Sequence, residues 1–267
     1  GITTTFVEGS DLSAWAAAMR PTTRLLFVET PSNPTLAIVD IAAVAKIADA
    51  GGARLVVDNA FASPALQRPM EFGAHIVVHS STKFIDGQGR AMGGMILCRQ
   101  DFLDENLQQF LRNTGPTISP FNAWLHLKSL ETLDVRMQRH CENGEKIANY
   151  LKTHPKVAKV FWPGFPDHPG YAIAKKQMHG FGGMISFELK DDSVENTKRV
   201  LSSTKLFSLA ESLGGVESLI NHPASMTHAS IPKEERIKNG LNDSLIRLSV
   251  GIEDADDLIE DIAAAIA

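Results

Sequence analysis

The stretch of sequence that decides the fold is VDNAFASPALQRPMEFGAHIVVHSSTKFIDGQGRAMGG, from Val57 to Gly94. It begins inside one apolar run, Ala53–Phe61, and contains a second, Ala74–Lys83. A short helical pattern that ends at Gly73 lies between the two runs. Continuous β-branched runs separated by helical segments are typical of parallel strands that are covered on both faces of a sheet. The stretch therefore predicts an α/β layer architecture.

The same alternation continues on both sides of this stretch. Arg24–Thr30 is a predicted strand, Asp40–Gly52 is a predicted helix that ends on two glycines, and Gly93–Arg99 is a predicted fourth strand. From Ser119 to Thr153 apolar residues recur every three or four positions, which predicts one long helix that links two domains. The strands predicted after this helix are Val157–Trp162, Gly182–Lys190 and Ser244–Val250.

Length and composition set the limits within which this pattern is interpreted. The chain has 267 residues, of which 43% are hydrophobic and 21% are charged, as is usual for a globular protein of one or two domains. A net charge of −5 argues against a nucleic-acid binder with a basic face. No apolar run approaches the roughly 18 residues of a membrane helix. Cys98 and Cys141 match neither a disulfide framework nor a zinc spacing, so a cytoplasmic location is the simplest expectation.

From these patterns we expect three parts. Residues 1–118 form an α/β domain, residues 119–153 form a connecting helical region, and residues 154–267 form a smaller α+β domain.

Three predicted strands in the first half end in polar side chains. Glu29 ends the first strand, Asp58 ends the second, and Ser80, Thr82 and Lys83 follow the third. In open α/β sheets the carboxyl ends of the strands line the ligand crevice. We therefore expect carboxylate, hydroxyl and amine groups to meet at one edge of the sheet.

These residue types suit one cofactor chemistry in particular. Partial burial would lower the pKa of the Lys83 amine and free it to form a Schiff base with an aldehyde. Asp58 could pair with a protonated pyridine nitrogen and so keep the ring an electron sink, as pyridoxal 5′-phosphate (PLP) chemistry requires. Ser80 and Thr82 could hold phosphate oxygens. Taken singly, the same residues also fit a surface lysine, a turn aspartate and a polar loop.

The whole segment from Val57 to Gly94 resembles the Cys/Met-metabolism family of PLP enzymes. That family comprises cystathionine γ-synthases and lyases, methionine γ-lyases and homoserine-ester sulfhydrylases. The resemblance spans essentially the whole chain, in the same order and at compatible spacing. The further matching motifs are ETPSNPT (Glu29–Thr35), SPFNAW (Ser119–Trp124), AESLGGVESL (Ala210–Leu219), MTHAS (Met226–Ser230) and IRLSVGIED (Ile246–Asp254). The resemblance implies the fold-type I, aspartate-aminotransferase-like large domain with a mostly parallel sheet, followed by a smaller α+β domain.

On the cofactor side, the resemblance implies roles for five residues. Lys83 would carry PLP and later move protons, and Asp58 would pair with the pyridine nitrogen. Ser80 and Thr82 would contact the phosphate, and Asn33 would hydrogen-bond the ring oxygen.

On the substrate side, the resemblance implies that Arg247 binds the α-carboxylate, a partner that a guanidinium holds well through two parallel hydrogen bonds. Ser212 and Thr227 would line the site near Lys83. Glu211 matches the group of cystathionine γ-synthases and γ-lyases. The sites of this family lie between protomers, so a homo-oligomer, specifically a tetramer, is implied.

The reaction implied is γ-replacement on an O-acyl-homoserine by sulfide or cysteine, which yields homocysteine or cystathionine in methionine biosynthesis. The motifs disagree on the exact member. Phe84–Arg90 looks most like the O-succinylhomoserine sulfhydrylases, whereas Ala210–Leu219 and Met226–Ser230 look more like the cystathionine γ-synthases and γ-lyases. Elimination on cystathionine or methionine therefore stays open, and so does an inactive fragment of such an enzyme.

The family also carries cofactor residues that are matched nowhere in this chain. They are a glycine-bearing phosphate loop, a tyrosine stacked on the ring and a Tyr-x-Arg pair donated to the neighbouring subunit. We expect them in an upstream segment before Gly1, whose surroundings GITTTFVEGS show no signal-peptide pattern.

Three rival classes fit the sequence less well. GQGRAMGG (Gly87–Gly94) is close to a dinucleotide fingerprint, but its third glycine is one position late and a strand follows it. The nine histidines contain no H-E-x-x-H pattern, and His222 and His228 fit loop positions near a substrate mouth or in solvent. A serine hydrolase would need G-x-S-x-G, which is absent.

Overall fold

The computed structural model describes residues 1–267, and its first half is built on a four-stranded sheet. The three predicted strands around the opening stretch are present and parallel, which confirms the α/β architecture. The predicted fourth strand is also present but runs antiparallel to the third. The chain folds back there, with Ser81 N–H donating to Gly93 O, instead of forming a crossover helix. The strands, in spatial order, are β1 (Leu25–Glu29), β2 (Arg54–Asp58), β3 (Ile76–Ser80) and β4 (Gly94–Cys98).

Short helices connect and flank these strands. α2 packs its apolar face against β1 and β2 in one buried cluster. The Asp40 side chain starts this helix by accepting from Ala43 N–H at 2.9 Å, and Gly52, with φ +65°, follows its end. The helices of this half are α1 (Leu12–Ala18), α2 (Ile41–Ala50), α3 (Ser63–Leu66), α4 (Gln100–Phe102) and α5 (Gln108–Thr114).

The single long helix predicted over residues 119–153 is wrong, because the structure has two helices there. α6 spans Pro120–Leu130 and α7 spans Leu133–Thr153. At the bend, the Ser129 carbonyl accepts from the Arg136 guanidinium at 3.1 Å and from the Thr132 hydroxyl at 3.2 Å. The same carbonyl also accepts from the Thr132 backbone N–H, three residues on, which tightens the turn at the end of α6.

The last third of the chain forms a five-stranded sheet in the order β5–β6–β9–β8–β7. The three strands predicted here are present. Two short strands and one helix were not predicted, because none is long enough to show a hydrophobic period. The strands are β5 (Val157–Phe161), β6 (Met184–Leu189), β7 (Ser208–Leu209), β8 (Leu219–Asn221) and β9 (Leu245–Ser249). The helices are α8 (Tyr171–Gln177), α9 (Val194–Ser203), α10 (Lys233–Lys238) and α11 (Ala255–Ile266).

The two faces of this second sheet are chemically different. One face is packed with α7, α9 and α11 around the largest apolar cluster, which includes Ile185, Ile220, Ile246 and Leu248. The alternate residues of β6, β8 and β9 lie on the opposite face. That face is partly polar and meets the loop after β1, as described below. No helix of the chain has the length and apolar character needed to cross a bilayer. The division at residues 118 and 153 stays a prediction.

Candidate active site

The ends of the three parallel strands place the predicted polar residues at one edge of the first sheet. Glu29 and Asp58 are register partners across β1 and β2, so their side chains lie next to each other on the same face. Ser80 ends β3, and both Ser80 and Asp58 are partly buried. This is the edge at which open α/β sheets bind ligands.

Lys83 lies in the turn that follows β3, at residues Ser81–Ile85. Its Nζ is 3.4 Å from the Ser212 hydroxyl, which comes from the second half of the chain. Burial, and to a smaller extent the nearby Arg247 guanidinium, lower the pKa of the Lys83 amine below its ordinary value. The amine is therefore closer to the neutral form that attacks a carbonyl carbon or takes a proton.

The helices α6 and α7 hold this turn on both sides of Lys83. On the near side, the Ser81 hydroxyl is 3.2 Å from His126 Nε2, and both side chains are buried. On the far side, the Arg136 guanidinium donates to the Phe84 carbonyl at 2.7 Å and to the Ile85 carbonyl at 3.3 Å. Side chains from α6 and α7 thus fix the backbone on both sides of the lysine.

The two hydroxyls predicted for the phosphate are placed differently. Thr82 Oγ1 accepts from Gly93 N–H at 3.1 Å and lies 3.3 Å from the Gly93 carbonyl, so it ties the turn to the start of β4. The Ser80 hydroxyl makes no hydrogen bond and is partly exposed at the end of its strand. Ser80 is therefore the readier of the two to meet an anionic oxygen.

Arg247 lies in the middle of β9 and is 2% exposed. It donates to Asn33 Oδ1 at 2.8 Å and to the carbonyls of Glu211 and Ser212 at 2.9 and 3.1 Å. Burial lowers the pKa of this guanidinium to about 10, although the Glu29 and Glu211 carboxylates oppose that shift. Only neutral oxygens hydrogen-bond this buried cation, which leaves it suited to an incoming anion.

His228 lies close to the same network, where the sequence indicated a loop position near a substrate mouth or in solvent. Its Nδ1 is 2.8 Å from the Thr227 hydroxyl. Burial and the nearby Arg247 lower the pKa of His228. The MTHAS motif was the available signal, since His228 lies inside it.

Glu29 is the other residue whose role the sequence left undefined. Burial, together with the neighbouring Asp58 carboxylate, raises its pKa to about 7, although the Asn33 N–H bond at 3.3 Å and Arg247 oppose that shift. A carboxyl that is partly protonated at neutral pH therefore stands beside Asp58.

Replacing Glu29 with Gln is expected to remove a pH dependence of stability. Because the pKa of Glu29 rises from 4.5 to about 7 on folding, its stabilising contribution is full below pH 4.5 and is lost as the pH rises through 7. The difference in unfolding free energy, wild type minus Glu29→Gln, should fall by about 3 kcal/mol from pH 4.5 to pH 8. Urea unfolding at a series of pH values measures it. A constant difference would mean that Glu29 titrates normally.

The structure thus brings the nine predicted residues to one region, and its donor set fits PLP. Asp58 Oδ1 accepts from Ala60 N–H at 3.0 Å, which leaves its second oxygen open for a pyridinium N–H. The Asn33 amide oxygen is taken by Arg247, so its amide nitrogen remains free to donate to a ring oxygen. Lys83 supplies the amine. The individual roles of these residues stay predictions.

The comparisons with known proteins agree with this geometry. The family model described as "Cys/Met metabolism PLP-dependent enzyme" matches residues 1–267, and the chain belongs to that family. This confirms the resemblance seen in the motifs, and PLP is the cofactor of the family.

Named relatives place the chain among several reactions of this family. It is 47% identical to an O-succinylhomoserine sulfhydrylase of Pseudomonas aeruginosa, over all of this chain and 66% of that protein. It is 49% identical to a cystathionine β-lyase of Coxiella burnetii, over all of this chain and 69% of that protein. A crystal structure of cystathionine γ-lyase from Lactobacillus plantarum with L-serine superposes with a TM-score of 0.95 at 44% identity, over 98% of this chain and 68% of that one. The fold-type I architecture is thereby confirmed. The chain spans about two-thirds of the length of the curated relatives it matches.

Proposed function

We propose that the protein catalyses PLP-dependent γ-replacement on an O-acyl-homoserine, with sulfide or cysteine as the nucleophile. The observation that carries the proposal is the approach of Lys83 Nζ to Ser212, on a turn beside the buried Arg247. An amine of lowered pKa next to an unpaired buried cation suits an amino acid, whose Cα proton must be removed while its carboxylate is held.

Bound PLP would supply a carbonyl carbon for the substrate amine and a pyridinium ring that withdraws electrons from the carbon being deprotonated. Lys83 would take the proton from Cα and pass it to the carbonyl-derived carbon that PLP supplies, which returns the amine to its neutral form. It could then take a second proton from Cβ, which allows the γ-substituent to leave. The Ser212 hydroxyl, 3.4 Å away, would keep the amine turned toward these carbons.

The remaining residues would bind and orient. Asp58 would keep the proton on the pyridine nitrogen, and Ser80 and Thr82 would hold the phosphate, with Ser80 as the free hydroxyl. Asn33 would donate to the ring oxygen while it fixes Arg247. Arg247 would hold the α-carboxylate of the substrate.

Further support for replacement by a sulfur nucleophile comes from Phe84–Arg90, which resembles the O-succinylhomoserine sulfhydrylases, and from the Pseudomonas relative of that name. The second candidate is γ-elimination, which gives a 2-oxo acid and ammonia from cystathionine or methionine. It is favoured by relatives named cystathionine γ-lyase and L-methionine γ-lyase.

The test supplies O-succinyl-homoserine to the full-length protein with PLP, in three parallel reactions. One reaction contains sulfide, one contains cysteine, and one contains no nucleophile. Homocysteine in the first or cystathionine in the second is expected, with little 2-oxobutyrate in the third. Equal yields of 2-oxobutyrate and ammonia in all three reactions would contradict γ-replacement and support γ-elimination instead.

We also propose a cytoplasmic homotetramer. The outer face of α6 exposes Phe121, Trp124 and Leu127, which form an apolar surface beside the Lys83 turn. Such a surface next to the site supports contact between protomers there. Light scattering on the full-length protein gives the mass, and a monomer at micromolar concentration would contradict the proposal.

A further inference from the structure

A row of three buried polar side chains crosses the second sheet at Arg247. Ser186 on β6 and Asn221 on β8 are the register partners of Arg247 on either side. Directly opposed residues on antiparallel strands point to the same face, so all three side chains lie together. Their exposures are 0%, 1% and 2% for Ser186, Asn221 and Arg247.

The three members of this row differ in how their polar atoms are satisfied. The Ser186 hydroxyl donates to the Pro34 carbonyl at 2.6 Å. Arg247 uses its two terminal nitrogens on Asn33 and on the carbonyls of Glu211 and Ser212. Its Nε–H has no partner, and neither the oxygen nor the nitrogen of the Asn221 amide has one.

Unpartnered buried polar groups are rare because each costs the free energy of its lost hydration. Here the Nε–H donor of Arg247 and the amide oxygen of Asn221 both lack a partner. The two residues are register partners, and their side chains lie on the same face of the sheet. A hydrophobic residue at position 221 would avoid this cost, as the buried Leu219 two positions earlier on the same face of β8 does. A buried amide at this position is therefore explained only by a polar partner, and the adjacent Arg247 Nε–H is such a partner.

We propose that Asn221 is a positioning residue that accepts the Nε–H of Arg247 through its amide oxygen, directly after a side-chain rotation or through one buried water. This contact fixes the plane of the guanidinium, so that Arg247 presents its remaining donor capacity to the α-carboxylate of the substrate. Asn221 acts through Arg247 and does not touch the substrate, since its polar atoms are buried. The inference rests on the proposed function, in which Arg247 binds that carboxylate.

The surroundings explain why a second contact on this arginine matters. The other bonds of Arg247 reach the loop after β1, at Asn33, and the loop after β7, at Glu211 and Ser212. The β8 strand that carries Asn221 is paired along its length with β9. Asn221 is thus the one neighbour that would hold the guanidinium from the sheet itself, independently of the two loops.

The experiment compares two ligands that differ only in the carboxylate. L-norvaline has no leaving group at Cγ, and butylamine is the same molecule without the carboxylate. Their dissociation constants are measured from the absorbance change of the bound cofactor in the full-length holoenzyme. The variants are Asn221→Leu, Asn221→Ala and the control Thr197→Val, which removes a buried hydroxyl from α9 on the far face of the same sheet.

Asn221→Leu and Asn221→Ala are expected to weaken L-norvaline about tenfold and to leave butylamine unchanged, while Thr197→Val changes neither. Unchanged butylamine binding also shows that the variants are folded and hold the cofactor. Equal weakening of both ligands, or no weakening of either, would overturn the positioning role. The proposed function fails separately, if the wild-type protein itself binds L-norvaline no better than butylamine.

Discussion

Replacing Lys83 with alanine is expected to lower kcat by at least about a thousandfold, whichever of the γ-reactions the protein performs. Both replacement and elimination need one base to remove protons from Cα and Cβ. The amine of Lys83 is the only one that the structure places in the crevice with a pKa lowered by burial. The same change should abolish the pyridoxyl label left on the protein after incubation with PLP and borohydride reduction.

Peptide mapping of that label separates the two consequences. The wild-type protein should carry pyridoxyl on the peptide with Lys83, and the variant should carry none, with an unchanged circular dichroism spectrum. Lys46→Ala is the matched control, because Lys46 is an exposed lysine of α2. Its label and its kcat should equal those of the wild type. A label on another lysine of the wild type, with Lys83 unmodified, would contradict the assignment.

The Lys83 region could be predicted from sequence because its signals are local. β2 and β3 are continuous apolar runs, and Asp58 and Lys83 follow directly from where those runs end. The bend between α6 and α7 could not be predicted in this way. At the bend the Arg136 guanidinium and the Thr132 N–H both donate to the Ser129 carbonyl, an arrangement that the three-to-four periodicity of the segment does not reveal. The short strands β7 and β8 exist because β9 holds β8, so they too depend on tertiary context.

The candidate site divides in the same manner. Asn33 and Arg247 are hydrogen-bonded across 214 positions of sequence, so only the family motifs could indicate that they act together. The raised pKa of Glu29 results from burial beside Asp58, which is set by the register of β1 on β2. Asn221 has no motif of its own, and its interest arises only from lying opposite Arg247. Residues that act through packing partners are therefore those that sequence reasoning misses.

The groups of the candidate site come from two different sheets. The first sheet brings three groups that would act on the cofactor, Asp58, Ser80 and Lys83, in fixed register at its edge. The second sheet brings the cation Arg247, and the loop containing Asn33 joins the two. Lys83, the proposed catalytic base, follows a strand of the first sheet, and Arg247, the proposed carboxylate-binding cation, lies in the second. The two residues are brought together only in the folded chain, where Ser212 contacts both.

Replacing Asp58 with asparagine is expected to lower kcat by a hundred- to a thousandfold, on the order found when one preorganised electrostatic partner is removed. Asparagine keeps the size of the side chain and can still accept from Ala60 N–H, so the turn after β2 should be preserved. It cannot carry the negative charge that would hold a proton on the pyridine nitrogen. Asp40→Asn is the control, because asparagine caps α2 as well as aspartate does.

A cofactor analogue sharpens the test of Asp58. In such an analogue the ring nitrogen of PLP is replaced by a C–H group, so there is no proton for Asp58 to hold. In the wild-type protein the analogue should lower kcat by about the same factor as Asp58→Asn does with PLP. If Asp58 acts through that nitrogen, the kcat of Asp58→Asn should be almost the same with the analogue as with PLP, because both changes remove the same interaction. If the falls in kcat caused by the analogue and by Asp58→Asn multiply, Asp58 does not act through the ring nitrogen. If kcat is unchanged in Asp58→Asn, Asp58 has no role in the reaction.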